Sequence, residues 1–190
     1  MENIYLFMII ALAVLAIADL IVGVSNDAIN FLNSAIGSKA ISLRTIMIFA
    51  SLGIFVGAVY SSGLMEVARK GIFIPAMFNF DEIMYIFMAV MITDILLLDF
   101  FNTLGLPTST TVSIVFNLLG AAVVMSLIKI GVSETQTVAD LGNYINTKKA
   151  LEIIRGILLS VLIAFSVGAL VQWVSRFIFT FQIQKKVKNF

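Results

Sequence analysis

The sequence predicts an all-α integral membrane protein with about five hydrophobic segments. Hydrophobic residues make up 61% of the 190 residues and charged residues only 12%, which is far more apolar than an average soluble domain. Several apolar stretches reach the length of about twenty residues that an α-helix needs to cross a bilayer. The formal net charge is +1, and the basic residues sit at segment ends. We therefore expect contact with membrane lipid and no nucleic-acid partner.

The chain lacks the side chains on which much enzyme chemistry depends. It has no His and no Cys, so it offers no imidazole for proton transfer and no thiol for catalysis, zinc or disulfide formation. A serine nucleophile would have no evident general base. The sequence therefore predicts a protein that is not an enzyme and has no organic cofactor.

The first hydrophobic segment, residues 4–24, contains one charged residue, Asp19. A polar stripe with helical spacing follows it directly: Asn26, Asn30, Asn33 or Ser34, and Gly37. Asp27 lies at the edge of this stripe. An ionisable side chain at membrane depth costs roughly 2.5 to 3.5 kcal/mol on insertion scales, so Asp27 is a candidate functional residue. Asp19 belongs either to the same site or to a hydrated cavity wall.

Residues 41–65 form the second hydrophobic segment. Gly53 and Gly57 lie four residues apart in it, a spacing that lets two helix backbones approach closely in lipid. Residues 65–82 form an amphiphilic connector that Pro75 interrupts.

Two apolar arms, residues 83–101 and 112–130, enclose a break rich in Gly, Pro and Thr at residues 102–111. Irregular backbone at membrane depth is tolerated only where protein buries it or where it lines a wet cavity. The break is therefore either the tip of a broken or re-entrant hairpin or a turn between two full spans, and the sequence leaves both open. Asp94 and Asp99 lie in the first arm and have no assigned role.

The break itself predicts an anion site. Pro107 suits the first turn of a helix, because proline has no N–H group and its φ is already helical. The unpaired N–H groups of Thr108, Ser109 and Thr110, with the positive end of the helix dipole, would then face an anion. The alternative is that Thr108 or Ser109 only caps the helix. Further polar and small residues follow at spacings of three and four: Thr110, Ser113, Asn117 and Gly120.

The remaining chain is a polar connector, a long apolar segment and a charged end. Residues 131–149 are the most polar stretch and predict a surface connector. Residues 150–181 predict a final span, with Trp173 and Arg176 as interface anchors near its end. Residues 182–190 form a basic tail. We treat residues 1–190 as a single transmembrane domain.

Asp27 and the side-chain oxygens of Asn26 and Asn30 are hard oxygen ligands, which suit a hard cation. Asp27 would repel an anion held at the break, whereas a cation between them would offset that repulsion. Cation and anion would then raise each other's affinity through a coupling of typically 1 to 3 kcal/mol. This is the arrangement that an ion-coupled symporter requires. The alternative is a polar seam that only holds helices together.

At these two places the sequence resembles the inorganic phosphate transporter (PiT) family of sodium- or proton-coupled phosphate symporters. The first family signature, roughly G-A-N-D-V-A-N followed by V-G-S-K-A, is similar to residues 23–30 (GVSNDAIN) and 36–40 (IGSKA). The second, G-L-P-V-S-T-T-H, is similar to residues 105–112 (GLPTSTTV). Both occur in the family order, over about residues 5–125.

The resemblance implies a role for each matched residue. Asp27, Asn26 and Asn30 would serve Na⁺, or H⁺, as the coupling ion, with Asp27 as the Na⁺ ligand. Inorganic phosphate would bind Ser109, Thr110 and Thr111 at a hairpin tip, with Thr108 and Asn30 beside them. The implied function is cation-coupled phosphate symport by alternating access.

The sequence departs from the family pattern in four respects. Val112 replaces the usual His, Ile29 replaces a small Ala, and one residue is added between Gly23 and Asn26. No proton-linked role is therefore expected at position 112. The family also carries each signature twice, in two inverted halves, whereas this chain shows one set. The chain thus resembles the N-terminal half, and we expect a second inverted half, either in a longer chain or in a homodimer partner.

Two other functions remain open on the residues alone. One is transport of another oxyanion such as sulfate, and the other is a structural or regulatory membrane subunit that transports nothing. The chain has no Asn-x-Ser/Thr site, which is compatible with a bacterial inner membrane.

Overall fold

The computed structural model describes residues 2–60, 71–133 and 135–180. These residues form five α-helices, which we number in chain order: α1 Glu2–Ser38, α2 Leu43–Val59, α3 Phe80–Leu104, α4 Thr110–Val132 and α5 Thr147–Thr180. Short 3₁₀ turns lie at Pro75–Met77 and Val138–Asn143. The described residues form no β-strand, so the predicted all-α class is confirmed. The predicted basic tail, residues 182–190, lies outside the described residues.

Four of the helices are long and apolar enough to cross a membrane, and α2 is a shorter apolar helix of 17 residues. The prediction of about five hydrophobic segments is therefore confirmed. Both arms of the hairpin, α3 and α4, have the length of complete spans. Helix α1 runs without a break through its polar stripe, so its 37 residues extend about 55 Å. It ends where Lys39 adopts a left-handed φ of 52°.

The chain divides into two units, Met1–Ala150 and Leu151–Phe190. The first unit is organised around α3, which packs against both α1 and α4. Helices α1 and α3 run parallel, because Tyr5 contacts Phe80 near their starts and Asn26 contacts Asn102 near the ends of the matching stretches. Helix α4 runs antiparallel to both. In the second unit, residues 151–178 of α5 are all exposed or partly exposed.

A glycine turn joins α3 to α4 and forms the hairpin tip, residues 105–109. Gly105 ends α3 with φ at 67°, a left-handed conformation that glycine adopts at little cost. The next turn of helix begins at Thr110, with Ser109 as its N-cap. The expectation that α4 begins at Pro107 is therefore wrong, since Ser109 has an extended backbone and its hydroxyl accepts the Val112 N–H group at 3.4 Å.

The opposite end of the hairpin is closed by an ion pair. Lys129, in the last turn of α4, lies 2.7 Å from a Glu82 carboxylate oxygen in the first turn of α3. The Lys129 ammonium also donates to the Met77 carbonyl at 2.8 Å and lies 5.7 Å from the centre of the Phe78 ring. Glu82 in turn accepts the Asn79 N–H group in a capping box. One basic side chain thus connects α4, the start of α3 and the preceding turn.

The two connectors outside the helices pack on each other. Phe73 forms an antiparallel bridge with Ile145, and both residues are buried. Tyr144 is buried as well and packs edge-on against Phe78. Part of the polar stretch at residues 131–149 is therefore a packed element rather than solvated chain.

The close helix packing expected at Gly53 and Gly57 is not formed among the described residues. Apart from the chain neighbours and the backbone of α2 itself, no atom of the described residues lies within 4 Å of the position that a β-carbon would take at either glycine. Both glycines lie on an exposed face of α2.

We predict that Lys129→Met lowers the unfolding midpoint of the detergent-solubilised protein, because Glu82 and the Met77 carbonyl lose their charged donor. The expected cost is about 1 to 2 kcal/mol, since both ionic side chains are partly exposed. Thermal unfolding followed by size-exclusion chromatography measures it. Lys148→Met, at an exposed position, is the matched control, and equal midpoints for the two variants would contradict the prediction.

Candidate functional site

Asn26 is the centre of a hydrogen-bond network between α1 and the end of α3. It is 2% exposed, and its amide nitrogen donates to the Asn102 side-chain oxygen at 2.8 Å. Asn102 donates in turn to the Val22 carbonyl at 3.3 Å. Buried amides need such partners, because an unsatisfied one costs about 1 to 3 kcal/mol. The two asparagines therefore fix the register of α1 against α3.

The same asparagine reaches the hairpin tip. The Asn26 side-chain oxygen accepts the Thr108 N–H group at 3.4 Å, and the Thr108 carbonyl accepts the Asn30 amide at 2.9 Å. Asn30 also donates to the Asn26 oxygen at 3.4 Å. The Thr108 N–H group, expected to face an anion, is thus bound to Asn26 in this structure. The hydroxyl group of Thr108 is not used by these bonds.

Asp27 contacts the first residue of α4. The Thr110 hydroxyl donates to both Asp27 carboxylate oxygens, at 3.2 and 3.4 Å. Asp27 is half-buried. It lines a cavity of about 450 Å³ together with residues of α2, among them Ser51 and Gly53. The carboxylate therefore lies between the hairpin tip and open space.

The N-terminus of α4 offers unpaired donors beside Asp27. By their position, the N–H groups of Thr110 and Thr111 have no acceptor within the helix. The Ser109 hydroxyl accepts the Val112 N–H group and keeps its own hydrogen available for donation. Capping and anion binding, which are alternatives on the sequence alone, are therefore compatible at Ser109. Ser109 and Thr111 are both exposed.

The structure brings most of the predicted site residues together. Direct hydrogen bonds join α1 to the hairpin tip and to the start of α4. Asn26 and Asn30 bond to Thr108 of the tip, and Asp27 bonds to Thr110, the first residue of α4. Ser109 and Thr111 adjoin them along the chain. The remaining residues of the α1 stripe are exposed: Asn33, Ser34 and Gly37.

Sequence reasoning missed Asn102 as part of this network. The sequence gives little indication of this role, because an asparagine five residues before Pro107 does not reveal which residue of another helix it contacts. Its contacts with Val22 and Asn26 join residues 80 and 76 positions apart. Only the parallel packing of α1 on α3 reveals them.

A second polar cluster lies deeper between the same three helices. Asp94 is 1% exposed, and one of its carboxylate oxygens accepts the Ser113 hydroxyl and, at 2.9 Å, the Asn117 amide. Asp19 of α1 lies close to Asp94. Asp99, on the other side of α3, is exposed. Asp94 and Asp99 therefore have different surroundings, and Asp19 belongs with Asp94 rather than with Asp27.

Comparison with known proteins identifies the relatives of this chain. The family model described as "Phosphate transporter family" matches residues 23–190, which include both polar clusters except Asp19. Two archaeal proteins, each named "putative phosphate permease", are similar over shorter stretches. That of Thermococcus kodakarensis is 31% identical over 102 residues, and that of Pyrococcus furiosus is 35% identical over 103 residues.

Each alignment covers 53% of this chain and 25% of the relative, so the chain matches about a quarter of either permease. No solved structure matches it. The family match spans well over half of the chain and includes the α1 stripe, the hairpin tip, α3 and α4. This integral membrane chain therefore belongs to the phosphate transporter family.

Proposed function

We propose that this chain forms one half of a cation-coupled inorganic phosphate symporter, with Na⁺ as the coupling ion at Asp27. Phosphate would bind the N–H groups and hydroxyls of Ser109, Thr110 and Thr111 at the start of α4. The Thr110 hydroxyl, which donates to Asp27 in this structure, would turn to phosphate once a cation neutralises Asp27. Transport would proceed by alternating access around this site. Membership in the phosphate transporter family supports the substrate.

The contact between Asp27 and Thr110 is the observation that carries the proposal. It joins the candidate cation ligand to the first residue of the candidate anion site, at 3.2 Å. The positive end of a helix dipole favours an anion at this position, whereas the carboxylate repels it. A cation beside Asp27 removes that conflict, because it neutralises the carboxylate and attracts the phosphate. Binding of one ion would therefore strengthen binding of the other.

Asn26 has a different role in this proposal. Its side-chain oxygen already accepts from Thr108 and Asn30, so both lone pairs are used. We propose that Asn26 positions the hairpin tip, while the Asn30 side-chain oxygen is available to a cation. The prediction that Asn26 binds the cation directly stays a prediction.

We further propose that a second inverted half completes the site, either from a longer chain or from a second copy. Asn30, Ser109 and Thr111 are exposed within this chain, so the phosphate-binding groups are open on one side. A bound phosphate would have few protein contacts there unless another element covered it. The bacterial inner membrane remains the predicted location, and the two relatives come from archaea.

Binding of radiolabelled phosphate to the detergent-purified chain, with its mass in solution, tests the proposal. Binding that NaCl strengthens relative to KCl is the expected result, and a dimer would supply the second half. Binding that ignores Na⁺ would contradict sodium coupling. Tighter binding of sulfate than phosphate would favour the other oxyanion, and no oxyanion binding by a dimer would favour a structural subunit.

We predict that Asp27→Asn reduces the enhancement of phosphate affinity by Na⁺ at least about fivefold, because the variant lacks the charge that the cation neutralises. A coupling of 1 to 3 kcal/mol corresponds to about 5- to 150-fold in affinity. Phosphate affinity in KCl should not fall, since the repulsion is removed as well. Equilibrium binding in matched NaCl and KCl buffers measures both values.

The control for this variant is Asp99→Asn, which removes an exposed carboxylate from α3. It should keep the full effect of Na⁺. Asp27→Asn with an undiminished Na⁺ effect would remove Asp27 from the coupling mechanism.

We predict that Thr110→Val, which keeps the shape of the side chain, weakens phosphate binding about tenfold. The variant loses the hydroxyl that contacts Asp27, and a hydrogen bond to a charged group contributes roughly 1.5 to 3 kcal/mol. Thr103→Val, at an exposed position near the end of α3, is the matched control. Phosphate titrations of both variants give the comparison, and a changed oligomer with normal phosphate affinity would instead indicate a polar seam.

A further inference from the structure

The cluster around Asp94 contains two carboxylate oxygens that have no partner. They are Asp94 Oδ2 and Asp19 Oδ1, both buried. The other Asp94 oxygen is well satisfied, because Ser113 and Asn117 both donate to it. The carboxyl groups of Asp94 and Asp19 lie close to each other. The donors thus satisfy one oxygen of Asp94, and the other remains bare near a second acid that also has a bare oxygen.

The free-energy cost of burying two adjacent ionised carboxylates at this position is too high for both groups to be charged. Asp94 is 1% exposed and lies near the middle of a candidate span. A single charge there already costs roughly 2.5 to 3.5 kcal/mol, and adjacent like charges hold a proton on one of the two groups. One proton shared between the two bare oxygens would satisfy both of them, because the protonated acid donates and the carboxylate accepts.

Within the three helices that build the cluster, all of them in the described part of the chain, no cation lies near enough to take the place of that proton. The helices that build the cluster, α1, α3 and α4, contain one basic residue, Lys129. It is paired with Glu82, and it lies about 24 Å along α4 from Ser113. The nearest acids along the helices are also engaged elsewhere, since Asp27 contacts Thr110 and Asp99 is exposed.

The donor geometry favours a proton over a metal ion. Asn117 turns its amide nitrogen, not its oxygen, toward Asp94 at 2.9 Å, and the Ser113 hydroxyl donates as well. A sodium or magnesium ion would require oxygens directed at the ion. The described residues contain no group of three or more acidic, His or Cys side chains able to hold a metal.

From this geometry we infer that Asp19 and Asp94 form a proton-binding carboxyl pair inside the membrane. The pair lies seven to eight residues before Asn26 and Asn102 on the parallel helices, about 11 Å from these two asparagines along the helix axes. It is separate from the cation position proposed at Asp27, and it does not depend on the proposed function. The chain would thereby carry a protonation site although it contains no His.

Infrared spectroscopy of the detergent-purified chain tests this inference directly. A protonated carboxylic acid has a C=O stretch that a carboxylate lacks, and the pair should retain one such group at neutral pH. The double variant Asp19→Asn/Asp94→Asn should lose this band, whereas Asp99→Asn should keep it. A spectrum without the band, or one that the double variant leaves unchanged, would overturn the inference. Loss of the band when NaCl replaces KCl would overturn it too, by showing a sodium site.

Carbodiimide labelling of the unmodified chain gives an answer that does not require the variants to fold. Dicyclohexylcarbodiimide reacts with protonated carboxyl groups in apolar surroundings, and peptide mass mapping locates the product. Labelling of Asp19 or Asp94 that falls as pH rises, with little at Asp99, is the expected result. Absence of labelling at both residues, or labelling no greater than at Asp99, would contradict the pair.

Discussion

Satisfaction of the buried Asn26 amide is the constraint on which the rest of the site depends. Asn26 lies in the apolar contact between α1 and α3, where an amide without partners is costly. Its side-chain nitrogen and oxygen make three hydrogen bonds, to three different segments: the end of α3, the hairpin tip and the next turn of α1. The register of α1, the position of the tip and the contact between Asp27 and Thr110 all follow from this arrangement.

Much of the fold follows from local sequence patterns, because the bilayer imposes a length and a composition on each span. The apolar tracts, the polar stripe of α1 and the break before α4 are all visible at helical spacing. The start of α4 was misplaced because two local preferences compete there. Pro107 favours the first turn of a helix, whereas Ser109 favours the N-cap position. The helix begins after Ser109, because Asn26 and Asn30 hydrogen-bond to the backbone of Thr108 and hold it outside the helix.

The residues of the candidate site could be predicted from the sequence, whereas most of their contacts with one another could not. The residues of the α1 stripe and the tip could be named, because each group lies within one short segment. Their partners could not, since Asn102 meets Asn26, and Asp94 meets Asp19, only through the parallel packing of distant helices. Asp94 and Asp99 illustrate the limit: the sequence shows two similar acids, and the three-dimensional packing buries one and exposes the other.

The unbroken course of α1 has a mechanical consequence. Asp19, Asn26 and Asp27 are carried on one continuous helix, so they move as parts of a single rigid rod. A rotation of this rod by the angle of one residue, about 100°, would withdraw Asn26 from the tip and Asp19 from Asp94 at the same time. The two polar clusters therefore share one mechanical linkage, and a displacement that opens either of them is transmitted to the other.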